Sequence, residues 1–228
     1  KDVVLGVAKR LADGLRSRGL RVVLTREDDR AVGLAERAAR ANDAGGDLFL
    51  SIHANAASSQ RARGVETYFA SLEASDAAAG GVAKRENAAF AAVSAAIEPV
   101  ADPLLALLGD LIESEHRAAS DEFARLAEAR LAALDGAPSR GVKQAPFAVL
   151  MQVSMPASLV EIGFVTNRQD ARALDSEARQ SQIANALVDA VLEFRRRFEA
   201  RRGIDHAGED GAATVRTPED AVHGGHAR

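Results

Sequence analysis

The chain has no cysteine among its 228 residues, which excludes disulfides and thiolate metal sites. Aromatic residues are scarce at 4%, and much of the 47% hydrophobic fraction is alanine, a composition that leans on helices. Basic charge is not in excess. The net charge of −4 leaves no electrostatic footprint for nucleic acid. No apolar run is long enough to cross a bilayer, and no signal peptide is visible. The Gly45-Gly46 and Gly80-Gly81 pairs do not extend into a Gly-x-Gly-x-x-Gly or Walker loop, so a phosphate cradle is excluded. A Gly-x-Ser-x-Gly elbow is absent too, which removes the usual serine hydrolase.

What is present is enough for one domain with an insertion and a sizeable core. Val4, Ala8, Leu11 and Leu15 share a helical face that Gly19 would close in the left-handed region. Leu20–Leu24 reads as a strand and Leu34–Asp43 as a helix closed by Gly45-Gly46. Leu48–Ile52, Val65–Phe69, Phe147–Leu150 and Leu159–Ile162 read as further strands. Between them the composition turns Ala-rich and acidic. Leu104–Leu111 is apolar and helical, and Ser120 is placed to cap a helix carrying Phe123, Leu126, Ala127, Leu131 and Leu134 on one face, ended by Gly136. Asn167 and Ser176 are N-cap candidates, and Ile183, Leu187, Val191, Phe194 and Phe198 line a closing helix. The expected fold is α/β: a mixed central sheet covered by helices on both faces, with a helical insertion. Residues 201–228, polar and Gly-rich, are expected to be a disordered tail.

Two residues stand out chemically. His53 follows the apolar run Leu48–Ile52, so the strand delivers it to the carboxyl edge of the sheet, where open α/β folds place their sites. Glu161 interrupts Leu159-Val160-Glu161-Ile162, and a carboxylate inside an apolar strand costs desolvation unless it is used or paired. For His53 the alternative is an incidental histidine; for Glu161 it is a strand-end carboxylate paired with an arginine.

Their company decides between these readings. Thr25-Arg26-Glu27-Asp28-Asp29, then Leu34, Arg37 and Ala41-Asn42, then Ser51-Ile52-His53-Ala54-Asn55, and later Pro156–Asn167 stand in an order and spacing that closely resemble the zinc-dependent N-acetylmuramoyl-L-alanine amidases of the amidase-3 type. The resemblance covers Lys1 to about Phe198, apart from the insertion. It implies that His53 is a Zn2+ ligand and Glu161 the catalytic acid/base. The family's other ligands are a His in a Gly-His-Gly-Gly turn and a Glu just before a Lys-Asp pair. Lys1-Asp2 matches that pair, so the chain is read as a catalytic domain over 1–200 whose first strand and two zinc ligands lie upstream, and which alone binds zinc poorly and is inactive. Arg26, Asp29, Arg37 and Asn42 are read as a salt-bridged loop and helix cap. His223-Gly224-Gly225-His226 is not the missing turn, because no strand precedes it and no helix follows; His116 and His206 are read as solvated.

The resemblance further implies cleavage of the amide between N-acetylmuramic acid and L-alanine in peptidoglycan. It implies a monomer at work in the bacterial envelope, periplasmic or extracellular, which the lack of cysteine suits. The insertion over 72–137 is expected to lie over the site as a gate that a protein activator displaces, with Glu73 or Glu86 entering the open metal position. The rivals are another zinc-dependent wall peptidase and a non-catalytic wall-binding or regulatory module.

Overall fold

The computed structural model describes residues 1–88, 103–136, 138–201 and 203, and of 103–113 the backbone alone. Its helices are α1 (Asp2–Arg16), α2 (Leu34–Asp43), α3 (Ala77–Ala88), α4 (Pro103–Ala132), α5 (Ala148–Met151), α6 (Arg168–Leu174) and α7 (Glu177–Arg201). Its strands are β1 (Phe49–Asn55), β2 (Val65–Ala70), β3 (Ser139–Ala145) and β4 (Ala157–Phe164). They form one mixed sheet in the order β1-β4-β2-β3, with β1 parallel to β4, β2 antiparallel to β4, and β2 parallel to β3. Helices cover both faces, as the composition and patterning predict.

Strand alternation sorts the two faces. Leu50, Ile52, Val65, Val160 and Ile162 join a core built with α1, α4 and α7. Phe49, Tyr68, Ala157 and Leu159 point the other way, against α3 and α5. Every residue of β4 is buried, as expected of the strand between two others. Gly19 takes φ 79° after α1, and Asn167 caps α6 by accepting from the backbone N–H groups of Gln169 and Asp170.

Several expectations fail for identifiable reasons. Leu20–Leu24 is not a strand: it borders a cavity of about 530 Å³ that also meets the outer edge of β1, so no ladder partner lies beside it among the described residues. Phe147–Leu150 is not a strand either. Pro146 cannot donate to a ladder, and the chain turns into α5 just past it. The strand at that edge is the more polar β3, half-exposed along most of its length. Ser120 does not cap a helix but lies within α4; its hydroxyl donates to His116 O (2.6 Å) and accepts from the Ala157 N–H (2.8 Å). His53 does not follow β1 but lies inside it. The 201–228 tail falls almost wholly outside the described residues, as do His206, His223 and His226.

The stretch read as one insertion divides. Among its described residues, α3 lies on the His53 face and α4 packs on the opposite face as part of the core. Phe123, Ala124, Ala127 and Leu131 of α4 are fully buried, with Phe123 meeting Phe194 edge-to-face at 5.6 Å. Glu128 of α4 straps the sheet from below, accepting from Thr67 Oγ1 (2.9 Å), Ser139 Oγ (2.5 Å) and the Gly141 N–H (3.0 Å). A Gly-Ser linker in place of 72–137 would therefore remove part of the core. Phe123→Ala alone is expected to destabilise the fold by about 3–5 kcal/mol, measured by urea denaturation; a loss below about 1 kcal/mol would show that α4 is dispensable packing.

Candidate active site

Register builds the site. His53 of β1 pairs with Glu161 of β4, and Glu161 pairs in turn with Glu66 of β2. Paired residues point to the same face, so one imidazole and two carboxylates form a row across three strands. α3 crosses this face and adds a third carboxylate: Glu86 Oε2 lies 2.8 Å from His53 Nδ1. The other ring nitrogen, Nε2, is 2.9 Å from Ser51 Oγ. One ligand atom from each of His53, Glu86 and Glu161 falls within 4.8 Å of the others.

The carboxylates differ sharply in their surroundings. Glu161 is fully buried, and neither carboxylate oxygen has a hydrogen-bond partner. Among the described residues no arginine forms an ion pair with it. Burial pushes its carboxyl well above the usual range; the negative charges of Glu86 and Glu66 push the same way, and Arg85 only partly opposes them. Glu66 is equally buried but saturated. It accepts from Arg140 Nε (2.8 Å), Lys143 Nζ (3.0 Å), Tyr68 Oη (3.0 Å) and Asn55 Nδ2 (3.3 Å). Burial alone would raise its pKa, but the bonds from Arg140 and Lys143 together outweigh it and hold the group below the usual range. Tyr68 goes the other way: burial, with Glu66 beside it, keeps the phenol protonated and donating. Glu86 is lowered, its own burial outweighed by the bond to His53 and by Arg85.

Helix α3 holds Glu86 in place from both ends. At its start Asp76 Oδ1 accepts from the Ala79 N–H (2.7 Å). At its end Asn87 donates to Pro146 O (2.8 Å) and accepts from the Ala148 N–H (2.9 Å). Between these clamps sits Gly80-Gly81, each glycine costing about 1 kcal/mol against alanine in a helix. α3 thus depends on its docking more than on its own propensity. Of the two blocking candidates, Glu73 lies exposed in the turn after β2, away from the row, and Glu86 lies in it.

Arg26, Asp29, Arg37 and Asn42 stay outside the row. Arg26 bonds to Asp28 O, Asp29 pairs with Lys1 at 3.3 Å, Arg37 bonds to Val32 O, and Asn42 ties α2 to Gln152 O and the Ser154 N–H. Glu66, Arg140 and Lys143 were not singled out by sequence. The one signal was a glutamate in the apolar strand Val65–Phe69; its cations sit on β3, which the sequence does not announce.

A mixed α/β sheet thus aligns an imidazole with buried carboxylates across three strands, the kind of groups with which hydrolytic enzymes work. Comparison with known proteins names the family. The N-acetylmuramoyl-L-alanine amidase family matches residues 1–193, and the chain belongs to it. It is 31% identical over 203 residues to the N-acetylmuramoyl-L-alanine amidase AmiA of Escherichia coli, covering 89% of this chain and 70% of that one. It is 32% identical over 197 residues to LytC of Bacillus subtilis, also an N-acetylmuramoyl-L-alanine amidase, covering 86% of this chain and 31% of LytC. Among solved structures, the N-acetylmuramoyl-L-alanine amidase of Clostridium difficile 630 superposes with a TM-score of 0.62 at 25% identity, over 86% of this chain and 83% of that one.

Glu66 generates a pH prediction. Glu66→Gln leaves Arg140 and Lys143 without their buried anion and should cost roughly 3 kcal/mol at pH 7. A depressed carboxyl stabilises above its unfolded pKa of about 4.3, and that contribution is lost as pH falls through the lower folded value. Urea unfolding of parent and variant should thus differ at pH 7 and converge as pH is lowered below about 4. A difference that persists undiminished at pH 3 would contradict the ion-pair account.

Proposed function

We propose that this domain hydrolyses the amide joining the lactyl group of N-acetylmuramic acid to L-alanine in peptidoglycan, with zinc, in the bacterial envelope. The observation that carries the reading is the His53–Glu161 pair, in which both oxygens of a fully buried carboxylate lack any partner beside an imidazole. Such a group is expensive unless a cation or a reacting proton uses it.

The residues fit zinc. Imidazole and carboxylate are its ordinary ligands outside thiolate sites, and they converge here. His53 would hold the metal. When bound, zinc supplies Lewis acidity toward the attacking water and the scissile carbonyl. Glu161 takes the proton of that water on a carboxylate oxygen and passes it to the leaving amine nitrogen. Fixed charges at Glu66, Arg140 and Lys143 hold the neighbouring strands while this proton moves.

Glu86 stands where a substrate oxygen would approach His53, so α3 is read as a gate, closed here and opened by a partner that undocks it. In the complete enzyme Glu86→Ala should raise basal hydrolysis severalfold without loss of zinc. An equal or lower rate in a folded, zinc-loaded variant contradicts the gate.

The amidase reading is tested with Glu161→Gln in the complete enzyme. Zinc content should stay near that of the parent and turnover on peptidoglycan should fall by roughly 10²–10⁴-fold. Near-normal turnover with zinc bound would reduce Glu161 to a structural role. Product termini separate the amidase from a wall peptidase: a new L-alanine amine on an intact sugar strand marks the amidase.

A further inference from the structure

One face of β1 changes character along the strand. Phe49 joins the apolar cluster that includes residues of α3 and α5, and Ser51, His53 and Asn55 follow it at alternate positions on the same face. Consecutive side chains of α3 grip two of these polar residues. Glu86 Oε2 lies 2.8 Å from His53 Nδ1, and Arg85 donates to Asn55 Oδ1 (3.3 Å). Ser51 turns to the ring instead. Its hydroxyl lies 2.9 Å from His53 Nε2, and among the described residues it forms no other hydrogen bond.

Both ring nitrogens are therefore engaged, and their partners differ in kind. An ionised carboxylate only accepts, so Nδ1 must carry a proton to bond Glu86. In a neutral imidazole the other nitrogen is then a bare acceptor, and the Ser51 hydroxyl must donate to it. A metal ligand needs the opposite arrangement. The coordinating nitrogen gives up its proton, and the far nitrogen carries one, held by an acceptor that fixes the ring. Nδ1 is the nitrogen that meets Glu86, a member of the convergent group His53, Glu86 and Glu161. A carbonyl or carboxylate beside Nε2 would suit the metal-bound ring alone, and an N–H donor the Glu86-bound ring alone. A hydroxyl suits both, because one atom donates and accepts.

We propose that Ser51 is a positioning residue for His53 whose hydrogen bond reverses: its hydroxyl donates to Nε2 while Glu86 occupies Nδ1, and accepts from Nε2–H once a metal takes Nδ1. The ring loses one proton at Nδ1 and gains one at Nε2. Both are exchanged with water, which reaches the His53 side chain at its 23% exposure. Ser51 rotates its hydroxyl hydrogen and keeps it. The same ring orientation then serves the Glu86-bound and the metal-bound state. The second half of the proposal rests on the zinc reading.

The test is NMR of the histidine ring nitrogens in isotopically labelled complete enzyme, with zinc titrations beside it. The spectra are taken at a pH of about 8.5, above the ordinary histidine pKa of about 6.5, and His53→Gln identifies the His53 signals. After chelation, His53 of the parent should be the Nδ1–H tautomer, the less common one in free histidine, and Glu86→Ala should turn it to Nε2–H. With zinc, the parent should show Nε2–H. Ser51→Ala should weaken zinc binding by roughly 10–100-fold. Ser51→Thr, which keeps the hydroxyl, should restore most of it, with circular dichroism checking that both variants fold. A chelated parent in the Nε2–H form, or one whose tautomer Glu86→Ala leaves unchanged, would overturn the reversal. Zinc held as tightly by folded Ser51→Ala as by the parent, or no more tightly by Ser51→Thr than by Ser51→Ala, would overturn the positioning role. Failure of the zinc reading looks different: the parent, with Ser51 in place, would hold no metal at His53.

Discussion

A carboxylate with no partner, fully enclosed in a strand, is the constraint around which this fold is arranged. Glu161 sits in the one strand whose residues are all buried, flanked by His53 on one side and Glu66 on the other. Leaving such a group unsatisfied costs several kcal/mol in a purely structural protein. The neighbouring elements do not relieve that cost. They sharpen it, since Glu66 and Glu86 add negative charge nearby. Arg85 opposes this only in part, and Arg140 and Lys143 pair with Glu66. The molecule thus keeps one carboxylate saturated and leaves its neighbour without a hydrogen-bond partner, on the same sheet face.

The two faces of the sheet carry different burdens. Below it, α1, α4 and α7 form an apolar layer in which Phe123 meets Phe194, broken beside β1 by the cavity of about 530 Å³. Above it, the cover is lighter: α3 and α5, with small residues such as Ala79 and Ala83 at the contact. The element that reaches His53 is the Gly-bearing helix α3, held by its ends.

Sequence patterning made much of this visible. The strand carrying Glu161 was legible because a single acid breaks an apolar run, and His53 because it ends one. Glu86 was legible only as one of two acids, since helical periodicity gives a face but not what that face meets. For the same reason the apolar stripe of Phe123, Ala127 and Leu131 is visible in the sequence, but not that α4 packs on the face opposite His53 rather than over the site with the rest of 72–137. Glu66 escaped notice because its meaning depends on cross-strand register, which no local window contains. Its partners were hidden for a related reason: β3 is an edge strand, half-exposed and polar, and lacks the hydrophobic signature of β4. Leu20–Leu24 has that signature but no neighbour to pair with, so composition alone overcalled it.

The central claim is that the His53–Glu161 row is a zinc centre. Crystals of the complete enzyme grown with zinc, with diffraction data collected on both sides of the zinc absorption edge, test it most directly. The account predicts one strong anomalous peak within bonding distance of the His53 imidazole, with Glu161 facing it unbound. A zinc peak elsewhere on the chain, or none at His53 in crystals shown to contain the metal, would contradict it.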